Sequence, residues 1–262
     1  MDTMKILITG ANGYIGNSLY RSLKDLHEVS TITRENCDLT DQNSVNLYFK
    51  NKWFDVVIHC AVSGGNRLKP ENSQVIDSNL MMYYNLLYNK KCFNKLIHFG
   101  SGAEFHRWWT PYGLSKKLIS SSISGQDNFY NLIIYGLFDE FELDRRFIKS
   151  NLKRYINKEP MQIDDNNYMD FFYMQDLIQV VNYCIENESP PKYINCVYKE
   201  NLTLKNIADF INTLNDYKVD IKINGSEFPI EGYTSFNKDL KLPFVGLQQG
   251  IINTYNKLKW NQ

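Results

Sequence analysis

The sequence predicts a doubly wound α/β fold, a parallel sheet with helices on both faces and a smaller lobe woven into it. Three observations carry this. Short apolar runs alternate with helical patterns through the first half of the chain. The first run ends in a glycine turn, Gly10-Ala11-Asn12-Gly13-Tyr14-Ile15-Gly16, that leads into apolar positions at helical spacing, Leu19, Leu23 and Leu26. The second half holds shorter, less regular elements, with no low-complexity tether separating it from the first.

Taken in order, strands are expected at residues 4–9, 28–33, 55–60, 95–100 and 130–135. All are short and apolar, as in a sheet buried on both faces. Helices are expected between them at 13–26, 41–50, 73–90 and 111–124. Asp41 and Thr110 are residues of the N-cap type, and Pro111 suits a first helical position. Further on, helices are expected at 145–157, 176–186 and 203–215, with short strands near 161–163, 193–197 and 219–223. The expected division is a dinucleotide-binding domain at 1–140 and a substrate lobe at 141–262, of which about 168–198 returns to the first sheet.

Composition narrows the function classes. The 262 residues carry 29 Lys+Arg and 29 Asp+Glu, so there is no long-range attraction for nucleic acid or an anionic membrane. The first nine residues are too short and strand-like for a signal peptide, and no apolar run reaches membrane-spanning length. Five scattered cysteines without C-x-x-C spacing fit a reducing, cytoplasmic compartment. The four histidines form no metal-ligand pair at helical spacing, and no metal is expected.

The glycine turn has the form of a phosphate-binding opening, the alternative being a glycine-rich βα turn that binds nothing. Gly10 permits the tight turn, Gly13 lets the backbone approach a pyrophosphate, and Gly16 lets helix and strand pack closely. Asn12, Tyr14 and Ile15 complete the cradle. Farther along, Tyr112 and Lys116 lie four apart, on one face of a helix. A phenol with a pKa of about 10 is a poor acid–base group at neutral pH, and a neighbouring ammonium lowers that value. Alone, this spacing fits a solvated helix face equally well. Ser101 follows the fourth strand, at the carboxyl end where such sheets bind ligands. Its hydroxyl suits a bond to a substrate carbonyl, or a turn cap within its own loop.

Gly10-x-x-Gly13-x-x-Gly16, Asp38, His59-Cys60-Ala61, Asn79, Ser101 and Tyr112-x-x-x-Lys116 occur in order, each at a strand end or helix. Together they resemble the extended short-chain dehydrogenases/reductases, the group of nucleotide-sugar epimerases, dehydratases and reductases built on a Rossmann domain. The likeness continues in Asp170-Phe171-Phe172-Tyr173-Met174-Gln175-Asp176, in Tyr193-Ile194-Asn195 and in Gly246-Leu247-Gln248-Gln249-Gly250-Ile251. Met169 replaces the arginine that opens the first of these segments in the family. The resemblance implies that Tyr112 is the general acid, that Lys116 lowers its pKa and holds the cofactor ribose, and that Ser101 polarises the carbonyl. It also places Asp38 and Leu39 beside the adenine, and Cys60, Ala61, Val62 and Asn79 along the cofactor. Two helices, 73–90 and 111–124, pair subunits in the family, and Leu80, Met81, Tyr84, Leu87 and Tyr88 give the first a broad apolar stripe, so a homodimer is expected.

Within that group the pattern is nearest to 4-keto nucleotide-sugar reductases of the GDP-fucose synthase kind. Arg34, with no carboxylate at the end of the second strand, favours NADP (NADPH) over NAD, although Glu35 follows directly. Ala103 stands where the synthase has an epimerising cysteine, and no histidine occurs after His106. Gly102 and Ala103 replace the Asp-Glu pair of the dehydratases. Asn66, Arg67, Arg107, Arg145 and Arg146 are candidates for the substrate diphosphate, without a choice among them. The expected activity is reduction of a 4-keto nucleotide sugar for glycan synthesis. A 4-epimerase using bound NAD is the alternative. A non-catalytic dinucleotide-binding sensor is a third reading, and it predicts a broken catalytic set.

Overall fold

A computed structural model describes residues 3–65, 70–229, 231–235 and 240–260. The chain forms two compact units, Met1–Ile133 with Val180–Ile194, and Ile134–Gln179 with Asn195–Gln262. The elements run β1 (Lys5–Thr9), α1 (Tyr14–Leu23), β2 (Glu28–Ile32), α2 (Gln42–Phe49), β3 (Phe54–His59), α3 (Gln74–Tyr88), β4 (Phe93–Ser101), α4 (Ala103–His106), α5 (Pro111–Ser124) and β5 (Phe129–Ile134). They continue with β6 (Leu137–Phe138), α6 (Phe147–Ile156), β7 (Met161–Ile163), β8 (Tyr168–Met169), β9 (Phe172–Tyr173), α7 (Met174–Glu186), β10 (Tyr193–Cys196), α8 (Leu204–Ile211), β11 (Ile221–Ile223), β12 (Gly232–Tyr233) and α9 (Leu247–Trp260).

The main sheet has six strands in the order β10-β5-β4-β3-β1-β2. β1 lies between β2 and β3 and runs parallel to both, with Ile6 opposite Val29 and Val56. Ile6, Leu7 and Ile8 are fully buried, which is why this strand reads as an unbroken apolar run. On one face Leu7, Val57 and Leu96 pack with Tyr83, Leu86, Ile119 and Ile123 of α3 and α5. Both anticipated caps form. The Asp41 carboxylate accepts from the N–H groups of Asn43 and Ser44, and the Thr110 hydroxyl accepts from Gly113 N–H.

Several boundaries differ from expectation for local reasons. α1 stops at Leu23 because Leu26 is exposed and offers no apolar face to continue. α6 begins at Phe147, with Arg146 as its N-cap in extended conformation, so Arg145 and Arg146 precede the helix and do not open it. α8 ends at Ile211, because the Asn212 side chain brackets Val219, accepting from its N–H at 3.0 Å and donating to its carbonyl at 2.9 Å. The four-residue α4 and the two-residue strands β6, β8, β9 and β12 are too short to show a period. No helix among the described residues is long and apolar enough to cross a membrane.

The second unit has its own core, in which Phe138, Ile148, Leu152, Tyr155, Met161 and Ile207 are buried. Asp176, fully buried, accepts from Val245 N–H at 2.8 Å, Gly246 N–H at 3.0 Å and the Tyr198 hydroxyl, which ties the start of α7 to the start of α9.

Glu142, between β6 and α6, is also buried. It accepts from Lys149 N–H at 3.1 Å, and burial pushes its carboxyl up to about 8. A raised carboxyl favours the fold while protonated, and that contribution fades as pH rises from the unfolded value near 4.5 through about 8. Glu142→Gln should therefore match the parent protein's melting temperature near pH 4.5 and exceed it above pH 8. Each 1 kcal/mol recovered corresponds to roughly 2–4 °C for a chain of this size. Thermal unfolding followed by circular dichroism across this range is the check.

Candidate active site

Three stretches of backbone converge at the carboxyl end of β1. Gly10 adopts φ +64°, and a β-carbon there would lie 2.7 Å from the backbone of Ala61. A β-carbon on Gly16 would lie 2.4 Å from the Gly10 carbonyl oxygen. Gly13 N–H donates to that same oxygen at 2.9 Å. Gly13 is the N-cap of α1 and no side chain caps the helix. Asn12 and Gly13 are exposed, Tyr14 and Ile15 are half-buried beside them, and Gly16 is buried. A bare helix N-terminus above crowded glycines fits a dinucleotide's phosphates.

The neighbouring strand ends are cross-linked. Thr9 Oγ1 meets His59 Nδ1 at 2.8 Å and accepts from Ala61 N–H at 3.2 Å. Burial pulls the His59 imidazole down to about 3, so it stays neutral, and pushes the Cys60 thiol up. Val62 is exposed. After β2, Arg34 lies exposed in a turn in which Thr33 N–H donates to the Asn36 side chain at 2.9 Å. The Asp38 carboxylate accepts from Thr40 N–H and Oγ1, which with the charge of Arg34 holds it below the usual carboxylate range. Leu39 is buried.

Asn79 is almost wholly buried and latches two elements. Its Oδ1 accepts from Ser63 N–H at 2.7 Å, while Nδ2 donates to Ser63 O at 3.0 Å and to Ser115 Oγ at 2.9 Å. The loop after β3 is thereby held against α5. Glu71, which sequence reasoning missed, adds a second tie. One carboxylate oxygen accepts from Gly65 N–H at 2.6 Å and the other from Tyr112 N–H at 3.1 Å. Gly65 lies on the Tyr112 ring, where a β-carbon would stand 3.1 Å from it. No periodicity or spacing marks Glu71, because its partners lie 6 and 41 residues away.

Ser101 ends β4, and Tyr112 and Lys116 lie one turn apart on α5. The Lys116 ammonium is 5.7 Å from the centre of the Tyr112 ring and donates to Phe99 O at 2.5 Å, two residues before Ser101. It is only 4 % exposed, and burial lowers it to about 8 against the opposing pull of Glu104. The three groups belong to one compact unit, at one end of one sheet. An ammonium that readily gains and loses its proton, a phenol beside it and a hydroxyl at the strand end can move a proton to a bound oxygen.

The candidate diphosphate ligands divide. Arg107 is the exposed C-cap of α4, and its carbonyl accepts from Thr110 N–H and Oγ1. Trp108 and Trp109 beside it are exposed, edge to face. Arg145 and Arg146 are exposed residues of the second unit. Asn66 and Arg67 lie outside the described residues.

The sequence profile of the NAD dependent epimerase/dehydratase family matches residues 6–196. CDP-abequose synthase of Yersinia pseudotuberculosis is 24% identical over 242 residues, 81% of this chain and 85% of that protein. Among solved structures, GDP-mannoheptose C4 reductase of Campylobacter jejuni with NADP bound superposes with a TM-score of 0.78 at 18% identity, covering 99% of both chains. WbmG of Bordetella bronchiseptica in complex with NAD and UDP gives a TM-score of 0.80 at 18% identity, covering 98% of this chain and 96% of that one.

The crowding at the glycine turn is directly testable. Gly16→Val places a branched side chain against the Gly10 carbonyl, so the turn must open. The expected loss is about 1–3 kcal/mol, typical of overpacking at a closed site, read from urea unfolding midpoints.

Proposed function

The chain belongs to the NAD dependent epimerase/dehydratase family, and we propose that it reduces a 4-keto nucleotide sugar with NADPH. The single observation behind this reading is the assembly of Ser101, Tyr112 and the buried Lys116 in one unit with the glycine cradle of β1–α1. That complete set also argues against a non-catalytic sensor. Glu104 stands three residues beyond Ser101, with its carboxyl buried and accepting from Ser101 N–H at 3.2 Å, and Gly102 and Ala103 bring no acid or thiol. No side chain directly after Ser101 is thus suited to deprotonating a sugar carbon, which favours reduction over dehydration or carbon-acid epimerisation. The C4 reductase with NADP and the CDP-abequose synthase are relatives consistent with this chemistry.

Bound NADPH supplies the hydride. The Tyr112 hydroxyl donates its proton to the 4-keto oxygen, and the Ser101 hydroxyl bonds the same oxygen and orients it. Lys116 keeps the tyrosine labile through its charge and meets the cofactor ribose. Asn79 and Glu71 fix the loop and helix that carry these groups. Exposed Arg34 takes the 2′-phosphate. The arginines at 107, 145 and 146, with Asn66 and Arg67, are the candidates for the substrate diphosphate. Met81, Tyr84 and Tyr88 are exposed on α3, which supports pairing of two copies through this face. Five cysteines, none of them in a disulfide, suit a reducing, cytoplasmic setting.

With a panel of 4-keto-6-deoxy nucleotide sugars, NADPH absorbance should fall with at least one member, and turnover should decline as pH rises through about 8, where Lys116 loses its proton. Purified protein that carries NAD, oxidises no NADPH with the panel and interconverts 4-hydroxyl epimers would overturn the reductase reading. Tyr112→Phe should lower kcat by about 10²-fold or more while NADPH still binds, measured by steady-state kinetics and fluorescence titration. Arg34→Ala should weaken NADPH by about 10-fold and leave NADH nearly unchanged.

A further inference from the structure

Behind the strand end lies a closed polar compartment that the mechanism above does not use. Glu104, on α4, is 3 % exposed, and Asn131, on β5, is fully buried. The compartment exists because residue 100 is glycine. A β-carbon there would lie 2.6 Å from Glu104 Oε1 and 2.5 Å from Asn131 Oδ1. Glu104 Oε1 accepts from Ser101 N–H at 3.2 Å. Asn131 Nδ2 donates to Ser120 Oγ at 3.2 Å, and Asn131 Oδ1 is buried without a donor.

We propose that Glu104 is a positioning residue of this site, holding the Ser101 backbone and lending negative charge to the Lys116 ammonium buried beside the same stretch of β4. The charge environment of Lys116 leaves few other sources. Packed around it are His59 and Cys60 from β3 and its end, His98 from β4, Glu104 from α4 and Tyr112 from its own helix. Burial holds both imidazoles neutral and the thiol protonated, which leaves the carboxyl of Glu104 as the acidic group among them able to bring negative charge to the ammonium. Phe99 O gives the ammonium an acceptor but no charge. Glu104 is itself pushed up by burial and drawn down by Ser101 N–H, by Ser120 and Asn131, and by Lys116. Asn131 suits a carboxyl that changes state. An amide turns Nδ2 toward a carboxylate, or leaves Oδ1 to accept from the neutral acid.

The proposal rests on the reductase reading only for what Lys116 does, so the test is read without turnover. Protein labelled with ¹³C at lysine Cε is titrated by NMR, and the Lys116 signal is identified by its loss in Lys116→Met. A midpoint near 8 is expected in the parent protein. In Glu104→Gln, which still accepts from Ser101 N–H and can donate to Asn131 Oδ1, it should fall by about one pH unit or more. Equal midpoints in the two proteins would overturn the proposal. Should Glu104→Gln not fold, ¹³C-glutamate spectra of the parent protein decide. A Glu104 carboxylate ionised at pH 7 supports the proposal, and one still protonated there overturns it. A kinetic readout runs in parallel, since the basic limb of kcat should move to lower pH in Glu104→Gln, a shift that a purely structural role would not produce. Absence of any turnover in the parent protein counts against the reductase reading and leaves the NMR result to judge Glu104.

Discussion

A buried ammonium sets the terms for the candidate site. Taking a lysine head group out of water costs several kcal/mol unless acceptors and opposite charge replace what the solvent supplied. Lys116 meets that demand with the Phe99 carbonyl and with the charge of Glu104. The surrounding choices follow from it. Residue 100 must lack a side chain for Glu104 and Asn131 to fit below it. α5 must be held in rotation so that Lys116 points inward while Tyr112 remains half-buried at the surface. Asn79 and Glu71 do that holding from outside the helix, one through Ser115 and one through the Tyr112 N–H.

The glycine turn solves a different problem with the same economy of atoms. Backbone replaces side chain wherever two segments approach. Gly10 meets Ala61, and Gly16 meets Gly10 itself. The third glycine thus packs on the first, where the sequence alone suggested contact between helix and strand in general. The glycine turn and the helix that bears Tyr112 and Lys116 are joined through β3. Its end packs on Gly10, and the loop that follows is latched by Asn79 to the helix that bears Tyr112.

What could be read beforehand was local. The apolar run of β1, the caps Asp41 and Thr110, Pro111 at the start of α5 and the Tyr112–Lys116 spacing are encoded within a few residues of themselves. What escaped depends on partners far along the chain. Glu71 reaches a residue 41 positions away, and the Asn131 amide of β5 lies against a glutamate of α4. Two-residue strands such as β8 and β12 exist because they pair with each other, not because either segment has strand character. The early ends of α1 and α8 have the same origin. Leu26 finds no neighbour to bury it, and Asn212 turns its side chain to Val219.

The order of strands carries a consequence for synthesis. β10 closes the β5 edge of the six-stranded sheet, with Asn131 N–H donating to Lys192 O at 2.8 Å, yet it emerges some sixty residues after β5 is complete. At about 5–20 residues per second, the nascent chain leaves the ribosome with that edge uncovered for several seconds. During that interval the open edge of β5 stands ready to pair with any extended segment nearby. The vulnerability that this topology creates is thus one of timing, an unpaired edge on the growing chain that the finished sheet no longer shows at β5.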